Sequence, residues 1–166
     1  IGIWYSAMTQ RIGLKPQEHE YILMGMAAVG DPDRLYQDIK NDFIKFAPTR
    51  WNPYTLFKRN CHRGCLDWRP DLNTPQDYAD IAAAVQRIYE EIFDGLVMYT
   101  KYATQKENLV LMGGCALNCS ANSIAYKYFK DVWIMPNPGD SGSAVGCVLA
   151  HWGHHIEWPG PYLGHN

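Results

Sequence analysis

Asn108-Leu109-Val110-Leu111-Met112-Gly113-Gly114-Cys115-Ala116-Leu117-Asn118, with Val132-Trp133-Ile134-Met135 and Pro138-Gly139-Asp140-Ser141-Gly142 further on, decides the fold of this chain. Each half reads as a short apolar strand, a glycine turn and a helix. The first helix is entered near Ala116–Asn118, and the second runs through Val145 and Leu149. Glycine at a strand-to-helix turn lets the backbone approach a ligand, and a helix start offers unpaired N–H groups to an anion. Two such turns side by side predict an α/β fold with a phosphate-bearing ligand at the ends of two neighbouring strands.

At 166 residues the chain is one domain's worth, with 47% hydrophobic and 13% aromatic residues to build a core. Fifteen Lys and Arg against seventeen Asp and Glu leave a net charge of −2, which argues against nucleic acid as a partner. No apolar run reaches about 18 residues, so no membrane partner is expected. No secretory leader is visible, and a cytoplasmic location is the expectation. A start at Ile1 without an initiating Met leads us to expect a piece of a longer polypeptide.

The opening residues Ile1–Thr9 alternate as a strand would, with Ile1, Ile3 and Tyr5 on one face. Glu20–Val29 is apolar at nearly every position and helix-length, which predicts a helix buried on most sides. Gly25 in its middle predicts close approach by another backbone. Arg34–Lys45 reads as an amphipathic helix. Residues 46–74 form an irregular excursion of prolines, arginines and aromatics, expected to fold Trp51, Tyr54, Phe57 and Trp68 down on the core. Thr74-Pro75-Gln76-Asp77 carries an N-cap, a proline suited to the first helical position and a capping-box acid. The helix it opens runs to about Thr104, with Glu90 and Glu91 expected as solvated charges or cap partners. A linker is expected from about residue 157.

Several motifs carry chemistry only if their surroundings agree. Gly113-Gly114 is neither Gly-x-Gly-x-x-Gly nor a P-loop, but Asn118 and Asn122 place two amides one turn apart beside it. Asp140, between glycines where strand meets helix, is either an N-cap or a metal ligand aimed into a cleft. Gly139-Asp140-Ser141-Gly142 imitates a trypsin-like nucleophile sequence, yet strand–helix units rather than two β-barrels surround it. Cys61-His62-Arg63-Gly64-Cys65 is half of a zinc site with no second pair evident, so free thiols are expected. His151 and His155 are spaced i, i+4 but have Gly153 between them, which favours an ordinary helix end.

Taken together these stretches resemble a known family. Glu20-Tyr21-Ile22-Leu23-Met24-Gly25-Met26-Ala27-Ala28-Val29-Gly30 is similar to its Glu-Tyr-Lys-Leu-Met-Gly-Leu-Ala-Pro-Tyr-Gly, and Asp80–Gln86 resembles its long-helix signature. Asn108–Asn122 resembles its Asn-Leu-x-Leu-x-Gly-Gly-x-Ala-Leu-Asn-Cys-x-x-Asn. Pro138–Gly146 resembles its Pro-Gly-Asp-x-Gly-x-Ala-x-Gly, and Gly160-Pro161-Tyr162-Leu163-Gly164 also fits. The family is that of the O-carbamoyltransferases of nodulation-factor, aminoglycoside and cephamycin biosynthesis.

The resemblance implies an α/β fold with a mixed sheet flanked by helices. This would be the ribonuclease-H-like second half of an actin-like ATPase domain, of the kind found in sugar kinases. It implies transfer of a carbamoyl group from carbamoyl-adenylate, made from ATP and carbamoyl phosphate, to a hydroxyl acceptor. Gly113, Gly114 and Asn118 would hold the phosphate and carbamoyl end, Glu20 the ribose, and Asp140 would be one ligand of an iron-type divalent metal. The other ligands and the adenylate-forming domain would lie elsewhere on the same polypeptide. Ile22 in place of Lys, and Ala28-Val29 in place of Pro-Tyr, depart from the pattern at one edge of that pocket. Two other classes remain: another enzyme of the same fold, such as a sugar kinase or the threonylcarbamoyl tRNA-modifying transferase, and a non-catalytic nucleotide-binding module.

Overall fold

Thr74 and Asp77 start the element around which everything else is arranged. The Thr74 hydroxyl accepts the Asp77 N–H at 3.1 Å, and the Asp77 carboxylate accepts the Thr74 N–H at 3.0 Å. The helix they open, α4 (Pro75–Thr104), is 30 residues long and ends on Gln105 in the left-handed conformation. The computed structural model describes residues 1–154. The expected linker lies outside them, as does His155, so the spacing of His151 and His155 is not settled by the described residues.

Helices α1 (Gly2–Arg11), α2 (Glu20–Met26) and α3 (Tyr36–Phe43) pack against α4. The core between them holds Trp4, Met8, Leu23, Ile39, Phe43, Ile81, Val85, Ile88 and Ile92. The opening segment is thus a helix, not the expected strand. Trp4, Tyr5, Met8 and Ile12 are buried at helical spacing, whereas Ile3, on the expected inner face of a strand, is 48% exposed. Burial of the 3.6-residue stripe overrides the two-residue alternation.

The Glu20–Val29 expectation is corrected in two respects. The segment is helical, as α2 and a 3-10 turn at Ala27–Val29, but only Leu23 in it is buried. Nothing comes within 4 Å of where a Gly25 side chain would begin. The close approach occurs at Gly30 instead, where an added Cβ would stand 2.0 Å from the Ala79 carbonyl oxygen. The turn after α2 therefore lies backbone to backbone on α4.

The polar residues of α4 that face inward are all partnered. Asp80 is 2% exposed and accepts the Asp31 N–H at 2.8 Å and the Gln76 amide at 2.7 Å. The Arg34 guanidinium spans Asp77 and Asp80, 2.6 Å from each. At the far end of α3, β1 (Ile44–Phe46) pairs antiparallel with β2 (Leu56–Phe57) inside the excursion. Trp68 is buried there, as expected, and also donates to Asp42 at 2.8 Å. Trp51 and Tyr54, in contrast, are 62% and 71% exposed, and Trp51 packs edge-on against Tyr102. The end of the excursion is stapled by buried Arg11, which donates to the carbonyls of Trp68, Arg69 and Leu72. All five cysteines are free, and burial pushes the Cys65 thiol up to about 12.

Past α4, β3 (Asn108–Leu111) and β4 (Asp131–Ile134) form a parallel pair with Leu109 opposite Val132. Between them run a 3-10 turn at Gly114–Leu117, the short helix α5 (Cys119–Asn122) and a second 3-10 segment. Leu109 and Val132 pack on Val97, Ala125 and Phe129, while Val110 and Trp133 on the other face are more than half exposed. Both strand–turn–helix units are present, the second leading through Asp140–Gly142 into α6 (Ser143–Trp152). The described residues thus form an α/β structure with two separate two-stranded sheets, where the sequence led us to expect one mixed sheet. Among them, no helix is long and apolar enough to cross a membrane.

Two outcomes are expected. Gly30→Ala should lower stability by about 1–3 kcal/mol in a denaturant titration, since neither backbone can yield without moving α4. Asp77 is held well below the usual carboxylate range by the Thr74 hydroxyl and N–H and by Arg34. Its stabilisation is therefore complete above an unfolded value of about 3.9 and lost as pH falls further, so Asp77→Asn should lower stability at neutral pH and flatten the acid limb.

Candidate functional site

The two glycine junctions touch. The Gly113 N–H donates to the Pro138 carbonyl at 2.8 Å. A Cβ on Gly139 would stand 3.9 Å from the Gly114 Cα. Parallel pairing of β3 with β4 forces this, because it brings both carboxyl ends to the same edge. Gly113 has φ +90°, a conformation that glycine supplies without strain. Gly113 and Gly114 are both exposed, and nothing lies within 4 Å of where their side chains would start. The diglycine therefore presents bare backbone.

Side chains from the helices hold the first junction from behind. Tyr89 on α4 donates to the Cys115 carbonyl at 3.1 Å, and Asn122 donates to the Ala116 carbonyl at 2.7 Å. The Asn122 Oδ1 is buried with no hydrogen-bond partner among the described residues. On the second junction, an added Cβ at Gly142 would meet the Asn137 carbonyl at 2.0 Å, which makes glycine necessary to close that turn. Asp140 follows Gly139 as the first residue of its 3-10 turn; it is not the N-cap. Its carboxylate is exposed and makes no hydrogen bond or ion pair among the described residues.

Asn118 is less free than its sequence position suggested. Its Oδ1 accepts the Ala121 N–H at 3.0 Å, capping α5. Its amide also forms a reciprocal pair with Gln86, Nδ2 to Oε1 at 3.0 Å and Nε2 to Oδ1 at 3.1 Å. Gln86 is 6% exposed and further accepts the Tyr5 hydroxyl at 2.7 Å and donates to Glu90 at 2.8 Å. Glu90 in turn accepts the Ser120 hydroxyl at 2.7 Å. Burial pushes the Tyr5 hydroxyl up, and the carboxylates of Glu90 and Glu20 add to that. Glu20 itself accepts from the Ser6 hydroxyl and from the Gln17 N–H.

The structure thus brings Gly113, Gly114 and Asp140 to one edge and links Asn118 to that edge through the 3-10 turn at Gly114–Leu117. Glu20 stands apart from the diglycine, linked to it through α1 and the Tyr5–Gln86–Asn118 chain. Sequence reading passed over Gln86, Tyr5 and Ser120, and took Glu90 for a solvated or capping charge. The available signal was a lone amide closing the run Ile81-Ala82-Ala83-Ala84-Val85-Gln86. A polar side chain on a buried helix face must find partners. Gln86, Glu90 and Ser120 also line a cleft of about 390 Å³ between α2 and α4. Among the described residues, no group of three or more His, Cys, Asp or Glu is placed to hold a metal.

Residues 1–149 match the family model described as "Carbamoyltransferase N-terminus". The chain is 32% identical over 172 residues to the uncharacterized protein sll1178 of Synechocystis sp., covering 95% of this chain and 28% of that protein. It is 29% identical to the nodulation protein NolO of Bradyrhizobium diazoefficiens, over 90% of this chain and 28% of NolO. It is also 26% identical to the 3'-hydroxymethylcephem-O-carbamoyltransferase of Amycolatopsis lactamdurans, over 76% of this chain and 24% of that enzyme. The chain therefore spans under a third of the length of these curated relatives. With the family model matched over residues 1–149, this chain belongs to the O-carbamoyltransferase family.

Proposed function

We propose that this chain is part of an enzyme that moves a carbamoyl group from carbamoyl-adenylate, made from ATP and carbamoyl phosphate, to the hydroxyl of a small-molecule acceptor. The observation that carries the reading is the hydrogen bond from Gly113 to Pro138, which joins the bare diglycine to the second glycine junction at one edge. Exposed glycine backbone next to a strand end suits a phosphate, because no side chain blocks approach. With the Gly113 N–H spent on Pro138, the donors to the anion would come from the residues that follow it. Fixed donors of this kind steady charge on the leaving phosphate without reorganising during the reaction.

A divalent metal fits this edge only in part. The Asp140 carboxylate is unengaged among the described residues and is the one ligand we assign. An iron-type ion held there with ligands from elsewhere on the polypeptide would supply Lewis-acid polarisation of a phosphate or carbamoyl oxygen. We further propose that residues 1–166 are a single-domain segment, the ribonuclease-H-like second half of an actin-like ATPase domain. The exposed Val110 and Trp133 support this, since parallel strands are ordinarily covered on both faces. The remaining polypeptide would cover that face and complete the cleft. A cytoplasmic location fits such substrates.

Two outcomes test these readings. In the full-length protein, Gly113→Ala should weaken binding of a non-hydrolysable carbamoyl-adenylate analogue at least about tenfold by calorimetry, because a Cβ would intrude where the phosphate lies. Asp140→Asn should leave that affinity within about threefold but sharply lower bound metal by elemental analysis. Residues 1–166 alone should show no turnover with ATP, carbamoyl phosphate and a hydroxyl acceptor. Activity of that piece would overturn the division of labour proposed here.

A further inference from the structure

Glycine allows both signs of φ, so a turn built on Gly113-Gly114 is not held in one shape by its own residues. Its peptide units are pinned by their neighbours instead. The Gly113 carbonyl accepts the Ala116 N–H at 2.9 Å. The Cys115 carbonyl accepts the Asn118 N–H at 3.2 Å and the Tyr89 hydroxyl at 3.1 Å. The N–H groups of Gly114 and Cys115 have no hydrogen-bond acceptor among the described residues. In a planar trans peptide the C=O and the N–H point opposite ways, so fixing one end aims the other. Tyr89 fixes the Cys115 carbonyl, which aims the Ala116 N–H at the Gly113 carbonyl. That carbonyl in turn sets the direction of the open Gly114 N–H.

Tyr89 is a hold that comes from outside the segment. Asn118 and Asn122 belong to the same run of residues and move with the turn, whereas Tyr89 sits on α4, 26 residues from Cys115. Its side chain is buried, and its ring packs edge-on against Tyr5 with centroids 5.1 Å apart. Burial, with the neighbouring Cys115, pushes its hydroxyl up, so the phenol stays a donor. The Cys115 carbonyl would keep the Asn118 N–H without it, so the Tyr89 bond is not needed to satisfy a buried group. Gln86 also reaches the turn from α4, through Asn118, but Gln86 lines the cleft and Tyr89 does not. We infer that Tyr89 is a positioning residue for the transfer: its hydroxyl, acting through the Cys115 carbonyl, holds the Gly114 N–H toward the phosphate of the adenylate. It touches no ligand itself. This assignment rests on the adenylate reading above. A donor fixed before charge develops stabilises it most, and one free to swing gives up part of that.

Calorimetry on the full-length protein compares a non-hydrolysable carbamoyl-adenylate analogue with adenosine, which lacks the phosphate. The wild type should prefer the analogue by at least about tenfold, the scale of a hydrogen bond to a charged group. Tyr89→Phe, which keeps the ring, should bring that preference below about threefold and leave adenosine affinity unchanged. Tyr89→4-aminophenylalanine restores a donor and should return the preference to within about threefold of wild type. Tyr128→Phe, which loses a hydroxyl bonded to Asp94 at 3.1 Å away from the turn, should leave the preference intact. A preference that survives Tyr89→Phe overturns the assignment, as does one that the amino form fails to restore. Equal loss of adenosine binding, or loss of a cooperative melting transition, makes the Tyr89 hydroxyl merely structural and overturns it too. Loss of the preference in Tyr128→Phe does the same. A wild type with no preference for the analogue removes the functional reading itself.

Discussion

A polar side chain on the buried face of a helix has to be satisfied inside the protein, and on α4 that requirement sets where everything else docks. Asp77, Asp80 and Gln86 are each at most 7% exposed. Leaving any one unpaired would cost on the order of 1–3 kcal/mol or more. Asp77 and Asp80 draw in Arg34 and the Asp31 N–H, which fixes the turn after α2 and the start of α3. Gln86 draws in Tyr5 from α1 and Asn118 from the diglycine segment. One helix thereby registers the helical layer and the strand–turn units against each other.

The same logic explains how the first junction is braced. Its backbone faces outward bare at Gly113 and Gly114, while Tyr89 and Asn122 hold the Cys115 and Ala116 carbonyls. The second junction is braced against it through Pro138 and closed by the tight Asn137–Gly142 contact. The edge is thus built from braced backbone, with the Asp140 carboxylate unengaged among the described residues. The chain belongs to the carbamoyltransferase family and covers 28% of the length of one such relative.

Much of this was legible in the residues alone. The capping box at Thr74–Asp77, the long helix and both strand–glycine–helix units follow from local chemistry: cap geometry, helical periodicity and turn residues act over a few positions. The family could be recognised for the same reason, since its motifs are contiguous. Asp140 and the diglycine stood out because glycine and aspartate at a strand end have few purposes. The opening helix and the exposure of α2 did not stand out. Period-two and period-3.6 readings both fit Ile1–Thr9, and only the shape of the neighbouring surface chooses between them.

Local sequence therefore determined the long helix, its cap and the two glycine turns. Tertiary structure decided which residues those elements bring together. That Gly30 rather than Gly25 meets a neighbouring backbone depends on where Ala79 lies, 49 residues away from the turn's Gly30. That Gln86 pairs with Asn118, and Glu90 with Ser120 beside an open cleft, depends on contacts 32 and 30 residues apart along the chain. Hydrogen-bond satisfaction is a property of the assembled interior, so a lone amide in a helix announces that partners exist without saying which they are.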